Sequence, residues 1–503
     1  MARAPHEIEL KFLAGGAKAD AVTARLGDPS EVRTLTSTYF DTSDRALRQR
    51  GLTLRVRFDG EHWVQTVKAA GDGGLGRAEW ETFVPSAAPD LIAARGTPAG
   101  AALEGGAALE PLFTVEVERK AWLREEDGAA IEYALDQGEV ASGERAAAVG
   151  ELELELKAGD VRRLLSTAVR LREELALTPS FATKAERGFA LLDKDRSRAR
   201  RFEPPALTPQ MRTDAAFRAI ARAALEQIAG NAERLREAPG AEVIHQMRVG
   251  VRRLRSTLST FGKMVADRQL PELKDELRWL TGELNPARNL DVLLSGAYRR
   301  AARRKADTLG LKQLGVLLRR QRAAAYARAR SAAESERLGA LLLDVLCWLE
   351  RGPWTRGRAT GAALRAPPIA AFAARALARR NRRVARGGRR LAKLSRDDRH
   401  ALRIEAKKLR YGAEVFADLW GHPARLKRYM QPMRALQDRL GQLNDIATGE
   451  AVARALVHEA ADAGEADWAA GRLIGAESAR EGALLAAAAR AHRRLAKAKP
   501  FWP

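Results

Sequence analysis

The apolar pattern of this 503-residue chain changes period partway along, and that change limits what it can fold into more than any other feature. Up to about residue 157, apolar and polar residues alternate in short runs: 6–12, 52–58, 63–69, 78–84, 113–123, 131–135 and 150–157. Gly, Asp and Pro clusters separate these runs. Successive side chains of a strand point to opposite faces, so a period of two bounded by turn residues predicts strands. Regular spacing of short strands predicts a closed barrel or a sandwich. A helical stretch over 160–175 follows, then Thr178-Pro179-Ser180 as a loop, then a helix from near Phe181. From about residue 210 to the end, the period is helical in a sequence rich in Ala, Leu and Arg. Between the two patterns, residues 196–209 are basic and contain Pro204, Pro205 and Pro209, the composition of a linker. The expected class is α+β: a β-rich domain over 1–195, a linker over 196–209 and an all-α domain over 210–503.

Charge divides along the same line. Residues 1–200 carry 28 Lys+Arg and 33 Asp+Glu, a net of −5, whereas residues 201–503 carry 59 and 31, a net of +28. The whole chain is +23, so a polyanion is the expected partner. The single cysteine, Cys347, excludes an intramolecular disulfide and a thiolate metal cluster. The most apolar run, residues 338–349, is interrupted by Asp344 and too short to span a bilayer, so it reads as a core helix. The first residues lack an apolar signal region. The expectation is a cytoplasmic protein with no membrane partner.

In the β-rich half, alternation puts Glu7, Glu9 and Lys11 on one strand face, with Leu10 and Phe12 opposite. Arg55 and Arg57 share a face, as do Glu79 and Glu81, and Glu151, Glu153 and Glu155 make a wholly acidic one. Any one of these strands reads equally well as a sheet with a solvated side. Together they call for more, because carboxylates at alternate positions repel unless something positive stands between them. Hard divalent cations such as Mg²⁺ or Mn²⁺ take oxygen ligands, and Lys11, Arg55, Arg57, Lys68 and Arg119 suit phosphate oxygens. A barrel lined by both sets has the equipment for displacement at phosphorus.

The ordered set Glu7-x-Glu9-x-Lys11, Leu-Arg55-Val-Arg57, Thr-Val-Lys68, Glu79-Trp-Glu81, Asp136-Gln-Gly-Glu139, Glu151-Leu-Glu153-Leu-Glu155-Leu and Lys184-Ala-Glu-Arg187 resembles the CYTH family of triphosphate tunnel metalloenzymes. That family includes inorganic triphosphatases, thiamine triphosphatases and class IV adenylate cyclases. The resemblance covers roughly residues 1–190. It implies an eight-stranded antiparallel tunnel with phosphate held by Lys11, Arg55, Arg57, Lys68, Arg119, Lys184 and Arg187. It implies metal ligation by Glu7, Glu9, Glu153 and Glu155, to which the acidic motifs add Glu79, Asp136 and Glu151 as candidates. Lys11, Glu7, Glu9 and Glu153 are the expected catalytic group. Many members carry a second basic residue two after the Arg119 position, where this chain has Ala121.

The helical half repeats itself. His245, Arg248, Arg252, Arg253 and Arg255 recur 155 residues later as His400, Arg403, Lys407, Lys408 and Arg410. The segment Leu284-Asn-Pro-Ala-Arg288-Asn289 recurs at an offset of 156 as Leu440-Gly-Gln-Leu-Asn444-Asp445. On a helix, Met247, Leu254, Leu258 and Phe261 face away from the His and most of the Arg side chains, and Leu402, Leu409, Ala413 and Phe416 do the same in the second copy. Like charges along one stripe repel unless they serve an anion. The two histidines are expected as hydrogen-bond donors to phosphate, since neither has metal-ligand partners nearby in sequence. Arg299, Arg300, Arg303, Arg304 and the arginines of 379–390 either extend the anion surface or are solubilising charge. The paired stripes resemble the CHAD family, named for conserved histidines in an α-helical domain, over about residues 210–495. The resemblance implies two pseudo-symmetric helical bundles and a basic channel binding inorganic polyphosphate through His245, Arg248, Arg252, Arg253, Arg255, Arg288, His400, Arg403, Lys407, Lys408 and Arg410.

The resulting expectation is an inorganic triphosphatase that makes diphosphate and phosphate, fused to a polyphosphate-binding domain and, through it, associated with polyphosphate granules. The alternatives are a class IV-type adenylate cyclase, which needs a nucleobase pocket that no sequence feature identifies, and another organic-triphosphate phosphohydrolase. A non-catalytic polyphosphate-targeting protein would not need the full carboxylate set. Nucleic acid ranks below polyphosphate because the stripes lack base-stacking aromatics apart from Tyr411. Phosphate-loop and HExxH patterns are absent, and His6 and His62 read as surface strand residues. Oligomeric state is not readable from the sequence.

Overall fold

A computed structural model describes residues 6–69, 76–104, 108–193, 199–303, 309–357, 360–458 and 464–503. It divides into two compact units, one of 1–198 with 335–351, the other of 199–334 with 352–503. Arg304, named above, and Arg196 and Arg198 of the expected linker lie outside the described residues.

Among the described residues the first unit contains nine strands: β1 (His6–Leu13), β2 (Glu31–Asp41), β3 (Leu52–Phe58), β4 (Trp63–Ala69), β5 (Gly76–Val84), β6 (Glu110–Glu126), β7 (Ala129–Ser142), β8 (Arg145–Ala158) and β9 (Thr178–Ser180). They hydrogen-bond in the order β5-β4-β3-β2-β6-β7-β8-β1-β9, all pairs antiparallel. β1 also pairs with β5 through His6↔Ala78, Glu7↔Arg77 and Ile8↔Gly76, so strands from the two ends of the eight-strand order meet. Among the described residues up to 193, five α-helices accompany them: α1 (Ala17–Leu26), α2 (Ala46–Gln49), α3 (Leu91–Arg95), α4 (Val161–Leu175) and α5 (Lys184–Leu192).

The outer apolar faces are covered in two places. Leu35, Tyr39, Phe113, Val115, Val117, Val140 and Val149 pack with Phe189 and Leu191 of α5. Leu54, Val56, Val67 and Val84 pack with Leu47 of α2 and Ala94 of α3. β2 is not among the runs expected from alternation, because Thr34, Thr36, Ser37 and Thr38 give it the composition of a loop. It forms because β3 and β6 flank it and satisfy its backbone. Likewise Thr178-Pro179-Ser180 is a strand rather than a loop, since pairing with β1 outweighs its turn-like composition. α5 begins at Lys184 rather than near Phe181, because Thr183 and Glu186 form a capping box there.

The second unit is helical: α6 (Thr213–Glu237), α7 (Ala241–Thr260), α8 (Leu270–Leu293), α9 (Arg299–Arg303) and α10 (Leu309–Glu334), then α12 (Ile369–Gly387), α13 (Arg396–Val415), α14 (Pro423–His458), α15 (Gly464–Ser478) and α16 (Glu481–Lys497). The intervening α11 (Glu336–Arg351), which holds the apolar run 338–349, belongs to the first unit. Helices α6, α7, α8 and α10 pack in a ring, and α12, α13, α14 and α16 pack in an equivalent one. The rings meet where α7 touches α13 and α8 touches α14, which are the helices bearing the repeated motifs. The expected inward residues Met247, Leu254, Leu258, Phe261, Leu402, Leu409, Ala413 and Phe416 are all buried. Among the described residues no helix is long and apolar enough to cross a membrane.

Candidate functional site

Strand register assembles the first site. Lys11 on β1 stands opposite Glu153 on β8, and Glu151 on β8 opposite Asp136 on β7, which stands opposite Arg119 on β6. Glu153 accepts hydrogen bonds from Lys11 at 2.6 Å, Arg119 at 2.6 Å and Lys184 at 3.0 Å. Arg119 grips Asp136 with two bonds of 2.7 Å, and Lys184 lies 2.7 Å from the same carboxylate. Lys184 also donates to Glu151, Arg187 lies 3.8 Å from Glu151, and Lys11 lies 3.3 Å from Glu9.

Lys184 and Arg187 come from α5, whose position depends on Gly188. A Cβ there would lie 2.1 Å from the Phe113 ring of β6, so any side chain would lift the helix away. Burial opposes the charge on Glu153, yet Lys11, Lys184 and Arg119 hold its pKa well below the carboxylate range. Burial likewise opposes the charges of Lys11 and Lys184, and the surrounding carboxylates raise both above the ordinary lysine value.

A second group gathers around Lys68, which lies 2.6 Å from Glu7 and 3.2 Å from Glu79. Arg55 is 3.9 Å from Glu79 and Arg57 is 3.8 Å from Glu81. Burial works against the charged form of Glu7, but Lys68 brings its pKa down to about 2. Burial pushes Glu79 up to about 7 against the pull of Lys68, and the charge on Glu7 adds to the rise. Glu155 lies 2.7 Å from Lys157, its pKa raised by burial, with the charge on Glu7 adding to the rise.

The seven carboxylates proposed from sequence as metal ligands therefore fall in different places: Glu7 and Glu79 at Lys68, Glu9 at Lys11, Glu155 at Lys157, and Asp136, Glu151 and Glu153 together. The last three offer oxygens within 4.8 Å of one another. Buried Glu151 Oε2 has no hydrogen-bond partner among the described residues. An all-oxygen donor set with a spare lone pair fits a hard divalent cation.

The helical unit gathers a different cluster. His245, Arg248 and Arg252 of α7, Arg288 of α8, and Arg403 and Lys407 of α13 act on one another electrostatically, with Asp445 of α14 facing them. Burial and the charges of Arg288, Arg252 and Arg248 pull His245 down to about 4. Burial and the charges of Arg252, Arg403 and Arg248 pull Lys407 down to about 6. His245 Nδ1, Arg248 Nε and Arg403 Nε are buried with no hydrogen-bond partner among the described residues.

Other residues of the sequence stripe go elsewhere. Arg253 stacks over Phe202 and Tyr411 and donates to Glu414 at 2.6 Å. Arg410 donates to Glu414 at 2.7 Å and to Gln437 at 3.1 Å, and Lys408 to Glu405 at 2.9 Å. Arg255 is exposed. His400 is exposed too, its Nδ1 3.1 Å from Asn444 Oδ1, so the two repeated histidines sit in unlike surroundings. Sequence reasoning did not single out Glu414, Glu405 or Asp445 as charge partners. A Glu four residues after Arg410 on one helix was the available signal for Glu414.

Two families match the chain: the CYTH domain over residues 5–189 and the CHAD domain over 219–454. An inorganic triphosphatase of Haemophilus influenzae is 32% identical over 171 residues, covering 32% of this chain and 46% of the relative, so the chain spans less than half of that relative's length. A crystal structure of the CHAD domain from the plant Ricinus communis is 29% identical with a TM-score of 0.52, covering 59% of this chain and 96% of that one. A protein of Hippeastrum described as a putative adenylyl cyclase with a dominant triphosphatase activity is 18% identical with a TM-score of 0.28, covering 37% of this chain and 95% of that one.

Proposed function

From the matches to the CYTH domain over residues 5–189 and the CHAD domain over 219–454, we propose that this chain is a metal-dependent inorganic triphosphatase whose helical unit binds inorganic polyphosphate. The first half of the reading is carried by one observation: Lys11, Lys184 and Arg119 converge on Asp136, Glu151 and Glu153 in a buried cluster. Buried ion pairs contribute little net stability for their desolvation cost, so a concentration of them is better understood as charge held ready for ligands. A polyphosphate anion takes the lysines and arginines, and a divalent cation takes the carboxylates. Asp136, Glu151 and Glu153, with Glu7, Glu9, Glu79 and Glu155 as further candidates, would hold Mg²⁺ or Mn²⁺. When bound, the cation polarises phosphoryl oxygens.

The chain's own residues do the rest by position. Lys11, Lys184, Arg119 and Arg187 receive phosphate oxygens from one side, and Lys68, Arg55 and Arg57 extend the row. Because Lys11 and Lys184 are held above the ordinary lysine value, they stay charged through the working pH range. Fixed positive charge where negative charge builds on the leaving diphosphate is the main contribution a protein makes to phosphoryl transfer. The naming of the Haemophilus relative supports the inorganic substrate. Triphosphate, ATP and thiamine triphosphate assayed side by side with Mg²⁺ and with Mn²⁺ test the reading. Phosphate release should be fastest from triphosphate, and cyclic AMP in excess of phosphate would overturn it.

The second half rests on the cluster of His245, Arg248, Arg252, Arg288, Arg403 and Lys407, whose mutual repulsion Asp445 offsets only in part. Six basic side chains facing one another, with buried donors lacking partners, suit a ligand that is itself a row of anions. Tyr411, the aromatic of the stripe, is buried beside Arg253 rather than presented for base stacking. The full chain should therefore bind long-chain polyphosphate more tightly than duplex DNA at equal ionic strength, with affinity falling steeply as salt rises. A preference for DNA would overturn it. Association with polyphosphate granules in the cytoplasm follows from this binding and can be checked by microscopy.

A further inference from the structure

Helix α11 is encoded inside the helical half, yet it is part of the first unit, while its chain neighbours up to Glu334 and from Gly352 belong to the second. It packs on β9 and on α4. Its side chains Leu338, Leu341, Leu342, Val345, Trp348 and Leu349 are buried. A Cβ on Gly339 would lie 3.6 Å from the Leu177 carbonyl oxygen, 3.7 Å from Pro179 Cδ and 3.8 Å from Thr178 Cα, so the helix backbone runs directly against β9. At the far end, Arg351 donates a 2.7 Å hydrogen bond to Ser166 of α4.

The strand it leans on is placed next to the phosphate residues in two ways. β9 pairs with β1 at Lys11↔Ser180, the position of one cluster lysine. Only three residues separate Ser180 from Lys184, the other cluster lysine, at the first position of α5. We infer that α11 braces β9 and thereby sets the position of Lys184 in the phosphate site. The phosphate site is thus completed by a segment that begins 147 residues after the end of the CYTH match, and a cut in the linker would separate that segment from the unit it supports. This inference rests on the triphosphatase reading for its ligand, but the brace is a separate claim with its own readouts.

The test uses the full chain. Gly339→Ala leaves ordinary van der Waals contacts with β9, whereas Gly339→Val adds branches that push the helix away. The valine variant should raise KM for triphosphate about tenfold with a smaller change in kcat, and the alanine variant should behave as wild type. A plain loss of folded enzyme would lower the apparent kcat at unchanged KM, and that result overturns the inference.

A second measurement needs no substitution in α11. Cys347, the chain's single cysteine, is buried on this helix and reports its undocking. Because coupling is reciprocal, saturating triphosphate should slow maleimide labelling of Cys347 by about tenfold, and Lys184→Met should abolish the protection. Labelling indifferent to triphosphate that calorimetry shows to be bound, or protection that persists in Lys184→Met, overturns the brace alone. Absence of triphosphate binding in calorimetry overturns both the brace and the function it rests on.

Discussion

In the first unit Lys11, Arg119 and Lys184 each touch at least one carboxylate, whereas in the helical unit Arg248, Arg252, Arg288, Arg403 and Lys407 mainly face one another, with Asp445 opposite. Burial is similar in kind at the two places, but its electrostatic outcome is reversed. The tunnel lysines are raised above their ordinary pKa, and Lys407 is depressed to about 6. A site that must take both a cation and an anion can hold its two charge sets against each other until the ligands arrive. A site for a polyanion alone has little use for a second set, and the proposed ligand would relieve the repulsion among its basic residues. The difference matches the ligands proposed for the two sites, and it can be broken by exchanging charges.

The largest expected effect is in the tunnel. Glu153→Gln removes the shared partner of Lys11, Arg119 and Lys184. Phosphate release should fall about 10²–10³-fold, and denaturant unfolding of the first unit should lose about 3–5 kcal/mol, the cost of breaking a buried pair from one side. Full turnover would remove Glu153 from the site.

The same kind of change in the helical unit should act with the opposite sign. Lys407→Met deletes a buried amine whose charged form burial and its neighbours disfavour, so the free chain should gain about 1 kcal/mol in unfolding experiments. Polyphosphate affinity should nonetheless fall about tenfold, the worth of one charge-assisted contact. A destabilised variant would mean Lys407 has a partner that offsets its burial.

The sign of the pH response sharpens the comparison further. Lys407 has a pKa of about 6 in the free fold against an ordinary 10.5, and a bound polyanion restores the charge. Between those values binding takes up a proton, so polyphosphate affinity should fall as pH rises, by up to about tenfold per unit. Over the same window the unfolded chain holds more protons at Lys407 than the free fold does, so the free unit's stability should rise with pH. Titrations at several pH values check both trends, and affinity independent of pH between 6 and 9 would contradict the first.

The smallest effect belongs to Arg255. It lies in the sequence stripe but is exposed and outside the cluster. Arg255→Ala should change stability by less than about 0.5 kcal/mol and polyphosphate binding by no more than about twofold.

That last residue shows where sequence reading stops. Period and alternation located seven of the nine strands, because each buries one face. They missed β2, whose Thr and Ser carry a weak signal, and β9, which exists only through its pairing with β1. The repeat found both basic helices, since a 155-residue offset needs no knowledge of packing. It did not say which basic residues keep their charge free. Glu414 claims Arg253 through the contact of α7 with α13, while within α13 Glu414 also claims Arg410 and Glu405 claims Lys408. Nor could it place the apolar run 338–349 in the first unit, since nothing local tells a helix which core will bury it. In the tunnel the ordered motifs found the cationic residues and the acidic strand faces, but the division of the carboxylates between Lys68, Lys157 and the Lys11–Lys184 cluster depends on strand register.

The central claim is that one chain carries two phosphate sites of opposite electrostatic design, and a pair of variants tests it most directly. Triphosphate turnover and polyphosphate affinity are measured on the same preparations of wild type, Glu153→Gln and Lys407→Met. The account predicts that Glu153→Gln loses turnover and keeps polyphosphate affinity, while Lys407→Met keeps turnover and loses affinity. If either variant loses both properties together, or if Lys407→Met binds polyphosphate as wild type does, the assignment of two separate sites is wrong.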